Sequence, residues 1–510
     1  MAKIIKKILT GILFLIIATT SIGCGGSSNS ADDYGVIEDP DTAYVYVKEA
    51  FTYTFPLVLM HLTMVRATNA MHSVSNEAPI NQFWHQEKIA DVYYGYNREA
   101  NRDVVCSQCF IDLSRDAVVF EKPTTDRFCL FELFDAYTNC VSVMGPGTES
   151  DARKYIITGP DFKGSIPSGL VQIKCPTSLA WLIGRIRCFG EEDLPNVKAI
   201  QQGIDAKELN RYLTNSKPPY NSYDYENNFV PFEKLKSLSA EEYFNLANEL
   251  MLKNPPASID AEIINKIRRV RVGPGLKFRA DILGDSTIRR YEQMKEQCWS
   301  NEWPSNSRVY YITPSSAYDP GLWSFYAFSP KLWKSDFGKN YQYRAFCAYN
   351  YLCMHPNSAC VDYYKYKDDT DRSTLIAGKK YRLVFQKNVK PPINIGSEDY
   401  GFWSITLYDS RGYIITDGQD YFASISDKTG IEVNGSGTIE VMIEPMGESN
   451  SSARFAKAGN IALEDSVNTA NLLYTRGNGS FYAIMRIYLP HEAVVNGFWP
   501  APRIERIEEE

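Results

Sequence analysis

The sequence predicts a mainly β protein with a helical insert, because two strand-rich regions flank a region with helical patterning. Short apolar runs bounded by glycine and proline repeat over residues 78–187, and a second strand-rich region begins at about residue 310. Between them, residues 239–298 carry helix start and stop signals with apolar residues at helical spacing. We therefore predict two antiparallel β-sandwiches separated by a small all-α domain.

The first 23 residues have the pattern of a lipoprotein signal peptide. Lysines near the start precede an apolar run over 8–17, which is shorter than the roughly 20 residues that span a bilayer. Residues 21–24 (SIGC) then resemble a bacterial lipobox, in which Cys24 becomes the lipidated N-terminus. Gly25 follows, not the aspartate that retains such proteins in the inner membrane. We expect a lipid-anchored envelope protein, in the outer membrane rather than the inner; ordinary secretion with an incidental Cys24 is the alternative.

Length and charge limit the other partners. A chain of 510 residues is expected to form two to four domains. With 54 basic and 61 acidic side chains and no basic run beyond the signal peptide, the composition argues against nucleic-acid binding and against an electrostatic membrane patch. The predicted segments are the signal peptide (1–23), a flexible linker (24–39), a helix plus sandwich (40–190), a helical domain (191–330) and a second sandwich (331–510).

The elements of the first 300 residues follow from local signals. Residues 41–70 read as a helix that Pro56 breaks or kinks. Ser239 and Glu242 form a predicted capping box at the start of a helix that ends at Asn254. Two further helices are predicted near 260–269 and 286–298. Strands are predicted at 117–120, 128–134, 155–157 and 171–173.

The second sandwich is predicted from alternating apolar and polar residues. Residues 439–444 alternate strictly, as a strand with one buried face does. Runs at 381–385, 403–407 and 481–487 repeat the same period.

Ten cysteines besides Cys24 favour disulfides formed within each half of an exported chain. Six lie between Cys106 and Cys188 and four between Cys298 and Cys360, and their pairing stays open, as does the alternative of buried thiols. The five histidines are scattered, so no metal site is predicted. Motifs of serine hydrolases, zinc proteases and nucleotide-binding loops are missing, and no cofactor is expected.

Several segments in order resemble two domains of unknown function. Residues 101–107, 127–139, 155–160 and 176–185 are similar to DUF1254. The second half is similar to its companion DUF1214 over motifs spread between Tyr343 and Pro502, which include YRA (343–345), PP (391–392), FWSITLYD (402–409) and RIYLP (486–490). The resemblance implies an immunoglobulin-like β-sandwich, a small helical domain and a C-terminal jelly roll, and no settled activity.

The chain departs from the family pattern at several places, among them Cys129, which stands in a strand where the family carries arginine and tyrosine. Val104 and Cys106 stand where threonine and tyrosine are usual, and Leu472 stands in a segment where the family carries tryptophan. If the family uses those side chains in a polar pocket, the specificity of this member is changed or lost.

Asp103 and Asp135 are the candidate catalytic residues. Glycosidic hydrolysis requires two carboxyl groups with different pKa values, and Asp112 is a further carboxyl in the same region. The alternative is that Asp103 and Asp112 bond to turn amides and that Arg127 pairs with Asp135.

The candidate ligand-binding residues are polar or aromatic side chains of the same motifs: Asn101, Arg127, Tyr137, Arg185 and Trp403. The arginines suit a carboxylate or phosphate, although arginines also form structural ion pairs. The aromatic rings can stack on sugars, although such rings also fill cores.

Two functional hypotheses remain. The first is an envelope lipoprotein that binds a glycan or another small molecule; the alternative is a hydrolase of glycosidic bonds. The sequence predicts no oligomeric state.

Overall fold

Two β-sandwiches and a helical region make up the described part of the chain. The computed structural model describes residues 37, 39–74, 77–90, 99–148, 150–299, 311–312, 323–326, 338–385, 390–415, 424–426, 433–445, 471–496 and 498–508. The predicted fold class, mainly β with a helical insert, is confirmed. The predicted signal peptide and Cys24 lie outside these residues. Among the described helices, none is both long and apolar enough to span a bilayer.

The strands and helices have the following bounds. The strands are β1 (Trp84–His85), β2 (Val104–Asp112), β3 (Val118–Glu121), β4 (Cys129–Asp135), β5 (Cys140–Met144), β6 (Lys154–Thr158), β7 (Val171–Lys174), β8 (Leu179–Arg187), β9 (Asp205–Glu208), β10 (Tyr311–Ile312), β11 (Ser324–Tyr326), β12 (Cys360–Lys365), β13 (Tyr381–Phe385), β14 (Phe402–Asp409), β15 (Ser424–Ser426), β16 (Ile439–Pro445), β17 (Leu472–Thr475), β18 (Phe481–Tyr488) and β19 (Arg503–Arg506). The α-helices are α1 (Pro40–Ala67), α2 (Leu194–Gln201), α3 (Leu209–Thr214), α4 (Pro231–Ser237), α5 (Ala240–Lys253), α6 (Ala261–Ile267), α7 (Ala280–Leu283), α8 (Asp285–Trp299), α9 (Tyr341–Tyr351) and α10 (Glu492–Val495). Short 3-10 turns lie at Glu191–Asp193, Tyr225–Asn227, Ser258–Asp260 and Arg268–Val270.

The first sandwich packs a five-stranded sheet, in the order β1-β2-β8-β4-β5, against a four-stranded sheet, β7-β6-β3-β9. The four strands that the sequence predicts between 117 and 173 correspond to β3, β4, β6 and β7. Phe120, Phe131 and Tyr155 fill the core between the sheets. This core accounts for the apolar runs, because both sheets bury one face against the other.

The second sandwich pairs a six-stranded sheet, β10-β11-β12-β18-β14-β15, with a four-stranded sheet, β17-β16-β13-β19. The predicted alternation in β16 is confirmed, with Ile439, Val441 and Ile443 inward. Strand β18 is buried on both faces. Its odd-numbered residues enter the sandwich core, so the even-numbered residues from 482 to 488 lie on the other face. That second face meets the first sandwich.

Helix α1 forms the centre of the helical region and contacts α4, α5, α6, α8 and α9. Every residue from Ala50 to Met60 is buried, and the helix continues through Pro56, so the predicted break there is wrong. The sequence grouped α1 with the first sandwich and α9 with the second, yet both pack into one helical core, which also covers Phe110 and Phe134 of the five-stranded sheet.

The capping box at the start of α5 is confirmed. Ser239 accepts a hydrogen bond from the Glu242 amide, and the Glu242 carboxylate accepts one from the Ser239 amide at 2.8 Å. At the other end, the side chain of Asn254 accepts a hydrogen bond from the amide of Leu179 at 2.8 Å. The end of this helix is thereby attached to the first sandwich.

The expected disulfides are not formed by the described cysteines. Cys106, Cys109, Cys129, Cys140, Cys175, Cys188, Cys347, Cys353 and Cys360 are all free thiols. Most are buried on strands of the two sandwiches or in the helical core, where a thiol packs as a small apolar group. The prediction failed because an even number of cysteines says nothing about whether their side chains point at one another. The side chain of Cys298 lies outside the described residues.

Candidate functional site

The two predicted catalytic carboxylates lie at opposite ends of the five-stranded sheet. The carbonyl oxygen of Asp103 accepts a hydrogen bond from the amide of Cys188 at 2.9 Å, whereas Asp135 is the partner of Ala180 in the ladder between β4 and β8. Ala180 and Cys188 are eight positions apart, which corresponds to about 26 Å at the usual rise of a strand. Paired glycosidase carboxylates lie about 5 to 10 Å apart. The predicted pair is therefore wrong.

Asp135 holds a turn together. Its Oδ1 accepts hydrogen bonds from the amides of Tyr137 and Asn139 at 2.8 and 2.9 Å, and its Oδ2 accepts one from the Asn139 side chain at 2.9 Å. Asp112 accepts a hydrogen bond from the amide of Ser114 at 2.8 Å. Asp112 thus bonds to a turn amide, as the alternative expected, whereas Asp135 does so in place of the expected pairing with Arg127.

Arg127 does not pair with Asp135. Its guanidinium contacts the carboxylate of Asp193 at 2.5 Å and donates to the carbonyl oxygen of Arg187 at 3.2 Å. The expected pairing was wrong because Arg127 precedes β4 and Asp135 ends it, so the whole strand separates them. This arginine joins the start of β4 to the turn before α2.

The two predicted aromatic binding residues are core residues. Tyr137 is 3% exposed and donates its hydroxyl hydrogen to the carbonyl oxygen of Asn254 at 2.8 Å. Trp403 is 2% exposed and packs against Phe385 in the second sandwich, with ring centroids 5.1 Å apart. Neither ring offers a face on which a sugar in solvent can stack, so their prediction as binding platforms is corrected.

Arg185 belongs to a three-residue cluster around the buried carboxylate of Glu132. It forms an ion pair with Glu132, which also accepts from Nδ1 of His355 at 2.9 Å. Burial opposes ionisation of Glu132, but the charges of His355 and Arg185 outweigh it and hold the pKa of this carboxyl below its ordinary value. The cluster attaches the loop after α9 to strands β4 and β8. Its arginine is committed to a structural partner.

Asn101 leads to a polar site between the two sandwiches. Its side-chain amide donates to the hydroxyl of Tyr488, and its Oδ1 accepts from the amide of Asp103 at 2.8 Å. The segment 99–103 therefore crosses the outer face of the sheet that contains β12, β18 and β14. Phe128 and Phe402 pack against Tyr488 beside it.

Glu99 is the centre of this region, which we call the Glu99 site (Glu99, Tyr364, Tyr408, Tyr482 and Arg486). Tyr482 donates to Oε1 of Glu99 at 2.9 Å, and Tyr364 donates to Oε2 at 3.0 Å. The backbone of Glu99 has a φ of 57°, in the left-handed region that few residues other than glycine adopt. Its amide donates to the carbonyl oxygen of Gly412 at 2.8 Å, which holds this conformation.

Arg486 ties the segment to strand β18. Its Nη2 donates to the carbonyl oxygen of Glu99 at 2.8 Å, and its Nη1 donates to the hydroxyl of Tyr408 at 2.7 Å. The Tyr408 hydroxyl in turn donates to the carbonyl oxygen of Ala100 at 2.7 Å. A buried cation thus fixes the backbone next to the Glu99 carboxylate.

Burial perturbs the acid groups of the site. It raises the pKa of Glu99, and the hydrogen bond from Tyr482 and the charge of Arg486 offset part of that effect. It also raises the pKa of Asp103, against a hydrogen bond from Ser404 and the charge of Arg486. Burial raises the pKa of Tyr408 to about 12. Perturbed groups of this kind concentrate at functional sites, although structural networks also produce them.

A row of tyrosine rings leads from the Glu99 site to the surface. We call it the tyrosine ladder (Tyr366, Tyr482 and Tyr408). The ring of Tyr366 is stacked on that of Tyr482, with centroids 5.0 Å apart, and Tyr482 is stacked on Tyr408 at 5.7 Å. Tyr366 is 44% exposed, whereas Tyr408 is fully buried. Glu99, which accepts a hydrogen bond from the middle ring of the ladder, Tyr482, is half-buried.

The arrangement suits hydroxyl recognition and not metal binding. Each carboxylate oxygen has two acceptor positions, so Glu99 can accept from a ligand hydroxyl in addition to its two tyrosines. In the described part of the chain, no group of three histidine, cysteine or acidic side chains converges on a point where a metal ion could bind. The chemistry that the site offers is therefore hydrogen bonding beside an aromatic face.

Sequence reasoning missed Glu99, Tyr364, Tyr408, Tyr482 and Arg486. One signal was available in β18: when its odd positions are assigned to the core, Tyr482, Arg486 and Tyr488 share the opposite face. An arginine in the middle of a strand that is otherwise apolar and aromatic indicates that this face of the strand carries polar groups and is covered by another segment of the protein. Nothing local could show that Glu99, from the other end of the chain, covers it.

Two family models and two solved structures are similar to this chain. The family described as "Protein of unknown function (DUF1254)" matches residues 80–208, and "Protein of unknown function (DUF1214)" matches residues 361–492. The structure is similar to that of the VPA0106 protein from Vibrio parahaemolyticus, at 16% identity and a TM-score of 0.64, over 91% of this chain and 100% of that chain. An uncharacterised protein from Burkholderia cenocepacia aligns over 92% and 95%, at 10% identity and a TM-score of 0.38. No curated protein matches the sequence.

Proposed function

The chain belongs to the family of proteins that combine the DUF1254 and DUF1214 domains, and from that premise we propose that it is an envelope lipoprotein that binds a glycan at the Glu99 site. The observation that carries the proposal is the exposed Tyr366 ring at the end of the tyrosine ladder, stacked on Tyr482, whose hydroxyl is bonded to the half-buried carboxylate of Glu99. A sugar presents an apolar ring face and a rim of hydroxyls. The ring stacks on tyrosine, and a hydroxyl donates to Glu99.

Hydrogen bonds within the protein hold the site in place without a ligand. Two tyrosine hydroxyls fix the carboxylate of Glu99, and Arg486 fixes its backbone. A preformed acceptor loses little conformational entropy on binding, which favours recognition of a weakly binding neutral ligand. Glycosidic hydrolysis by Asp103 and Asp135 is not part of the proposal, because these two carboxylates are too far apart.

Binding is tested on a glycan array with the chain lacking its signal peptide. We expect wild-type protein to bind a subset of the glycans, and Tyr366→Ala to weaken that binding at least 10-fold. Tyr220→Ala is the matched control, because Tyr220 is 81% exposed and lies outside the Glu99 site. No glycan bound by wild type, or equal binding by Tyr366→Ala, would refute glycan recognition at this place.

The anchor is proposed to be a lipid on Cys24, held in the outer membrane rather than the inner. Residues 21–24 and the polar segment after them support this placement. Cells that express the full chain are labelled with radioactive palmitate and fractionated. We expect label in the wild type and none in Cys24→Ser. Equal labelling of both, or wild-type protein in the soluble fraction, would contradict the anchor and would leave glycan binding unaffected.

A further inference from the structure

Arg344 lies among three tyrosine rings inside the helical core. It belongs to the YRA motif at 343–345, on helix α9, and is 2% exposed. Its guanidinium carbon is 5.2 Å from the ring centroid of Tyr53, 5.5 Å from that of Tyr137 and 5.4 Å from that of Tyr341. We call these three rings the tyrosine cage. Stacking on ring faces stabilises the cation but satisfies none of its N–H groups.

One edge of this guanidinium has no hydrogen-bond partner among the residues that the structure describes. Among the described residues, no atom accepts from Nε or Nη2 of Arg344, and both nitrogens are buried. Their N–H groups point in parallel along one edge of the planar group, which is the geometry that binds a carboxylate through two hydrogen bonds. A buried cation with an empty fork is costly, so such an arrangement is expected where a ligand completes it.

The nearby acidic side chains do not fill the edge. Asp260 accepts from the hydroxyls of Tyr341 and Tyr53, both at 2.9 Å. Asp135, whose charge interacts with that of Arg344, has both oxygens bonded within its own turn. These carboxylates therefore offset part of the cationic charge while their oxygens serve other donors.

We propose that Arg344 and the tyrosine cage bind a small monocarboxylate. The two oxygens of the ligand accept from Nε and Nη2, and the ring faces pack against its apolar remainder. A dianion such as phosphate is disfavoured, because Asp135 and Asp260 already place negative charge next to the cage. Tyr341 is the partly exposed member of the cage, so the ligand would enter beside it. This site is separate from the Glu99 site, since α9 packs on α1 in the helical core.

The test uses sodium acetate as the probe and the whole mature chain. Melting temperature is followed against acetate concentration, with sodium chloride keeping the ionic strength constant. We expect a saturable rise in wild type, and an apparent dissociation constant at least 10-fold higher in Arg344→Lys, because lysine keeps the charge but lacks the fork. Arg411→Lys is the matched control: Arg411 is 75% exposed and pairs with Asp409 at the surface.

Three results would overturn the proposal: no saturable rise in wild type, an equal affinity in Arg344→Lys, or a larger rise with inorganic phosphate than with acetate. A second measurement applies if Arg344→Lys does not fold. Crystals of wild-type protein are grown in sodium acetate and, separately, in sodium chloride. Acetate density on Nε and Nη2 supports the assignment, and only water or chloride at that edge in both crystals refutes it.

Discussion

Tyr482 and Glu99 are hydrogen-bonded at 2.9 Å although 383 positions separate them in the sequence. The contact joins the segment that enters the first sandwich to the central strand of the second. The same carboxylate also accepts from Tyr364 on the neighbouring strand. Two domains that the sequence treats separately thus share one polar site, and its geometry depends on how they are held together.

Removing the Tyr482 hydroxyl tests this link energetically. In Tyr482→Phe, Glu99 keeps only one tyrosine donor, and a hydrogen bond to a charged group contributes about 1.5–3 kcal/mol. We expect the free energy of unfolding in urea to fall by about 2 kcal/mol. Tyr220→Phe, at an exposed position, is expected to change it by less than about 0.5 kcal/mol. Equal effects in the two variants would contradict the role of the hydroxyl.

Glu132 is expected to stabilise the fold in a pH-dependent way. Its pKa is lower in the folded protein than the ordinary value of 4.5, so its ionised form contributes stability above that pH, and the contribution is lost as the pH falls through the folded value. Glu132→Gln leaves Arg185 without its buried partner and is expected to cost about 3–5 kcal/mol at pH 7.

Urea unfolding of wild type and Glu132→Gln between pH 3 and pH 7 measures this difference, in a range chosen around the ordinary pKa of 4.5. The gap between the two proteins should narrow below that value. Glu398→Gln, at an exposed position, should follow the wild type throughout. A gap that is constant over the range, or that widens in acid, would show that the ion pair is not its source.

Gly184 is required by the packing of strand β8. A Cβ built at this position would lie 2.3 Å from Cε1 of Phe131, a fully buried ring in the core of the first sandwich. Gly184→Ala is therefore expected to lower the free energy of unfolding by about 1–3 kcal/mol, the usual cost of overpacking a core. Gly435→Ala is the control, since no atom lies within 4 Å of its Cβ. Unchanged stability of Gly184→Ala would mean that the core has room there.

The thiol count distinguishes free cysteines from disulfides directly. The nine described cysteines are free, so iodoacetamide in denaturant without reductant should label at least nine sites, as read by intact mass. The native protein should react slowly, because most of these thiols are buried and burial raises their pKa, as in Cys109 and Cys140. Labelling of fewer than nine sites would restore the disulfide hypothesis for this chain.

Local patterns predicted much of the fold but little of the site. The capping box at Ser239 and the alternation in β16 are short-range signals, and each appears as predicted. Pro56 misled because burial of α1 outweighs the loss of one backbone hydrogen bond.

The site depends on contacts between distant segments, and these leave no periodic trace. Asp103 and Asp135 are polar motif residues of the same sandwich. Only the strand register shows that Asp135 pairs with one end of β8 and that Asp103 bonds to the residue just after its other end. Glu99 stands just before a motif and carries no signal of its own. Only the ladder that aligns β12, β18 and β14 brings its tyrosine partners together.

The most direct test of glycan binding at the Glu99 site is a crystal structure of the protein with the strongest ligand found on the array. The account predicts a sugar ring stacked on Tyr366, with a hydroxyl donating to the carboxylate of Glu99. A ligand bound elsewhere, with the Tyr366 ring exposed to solvent and Glu99 bonded only to its tyrosines, would contradict it.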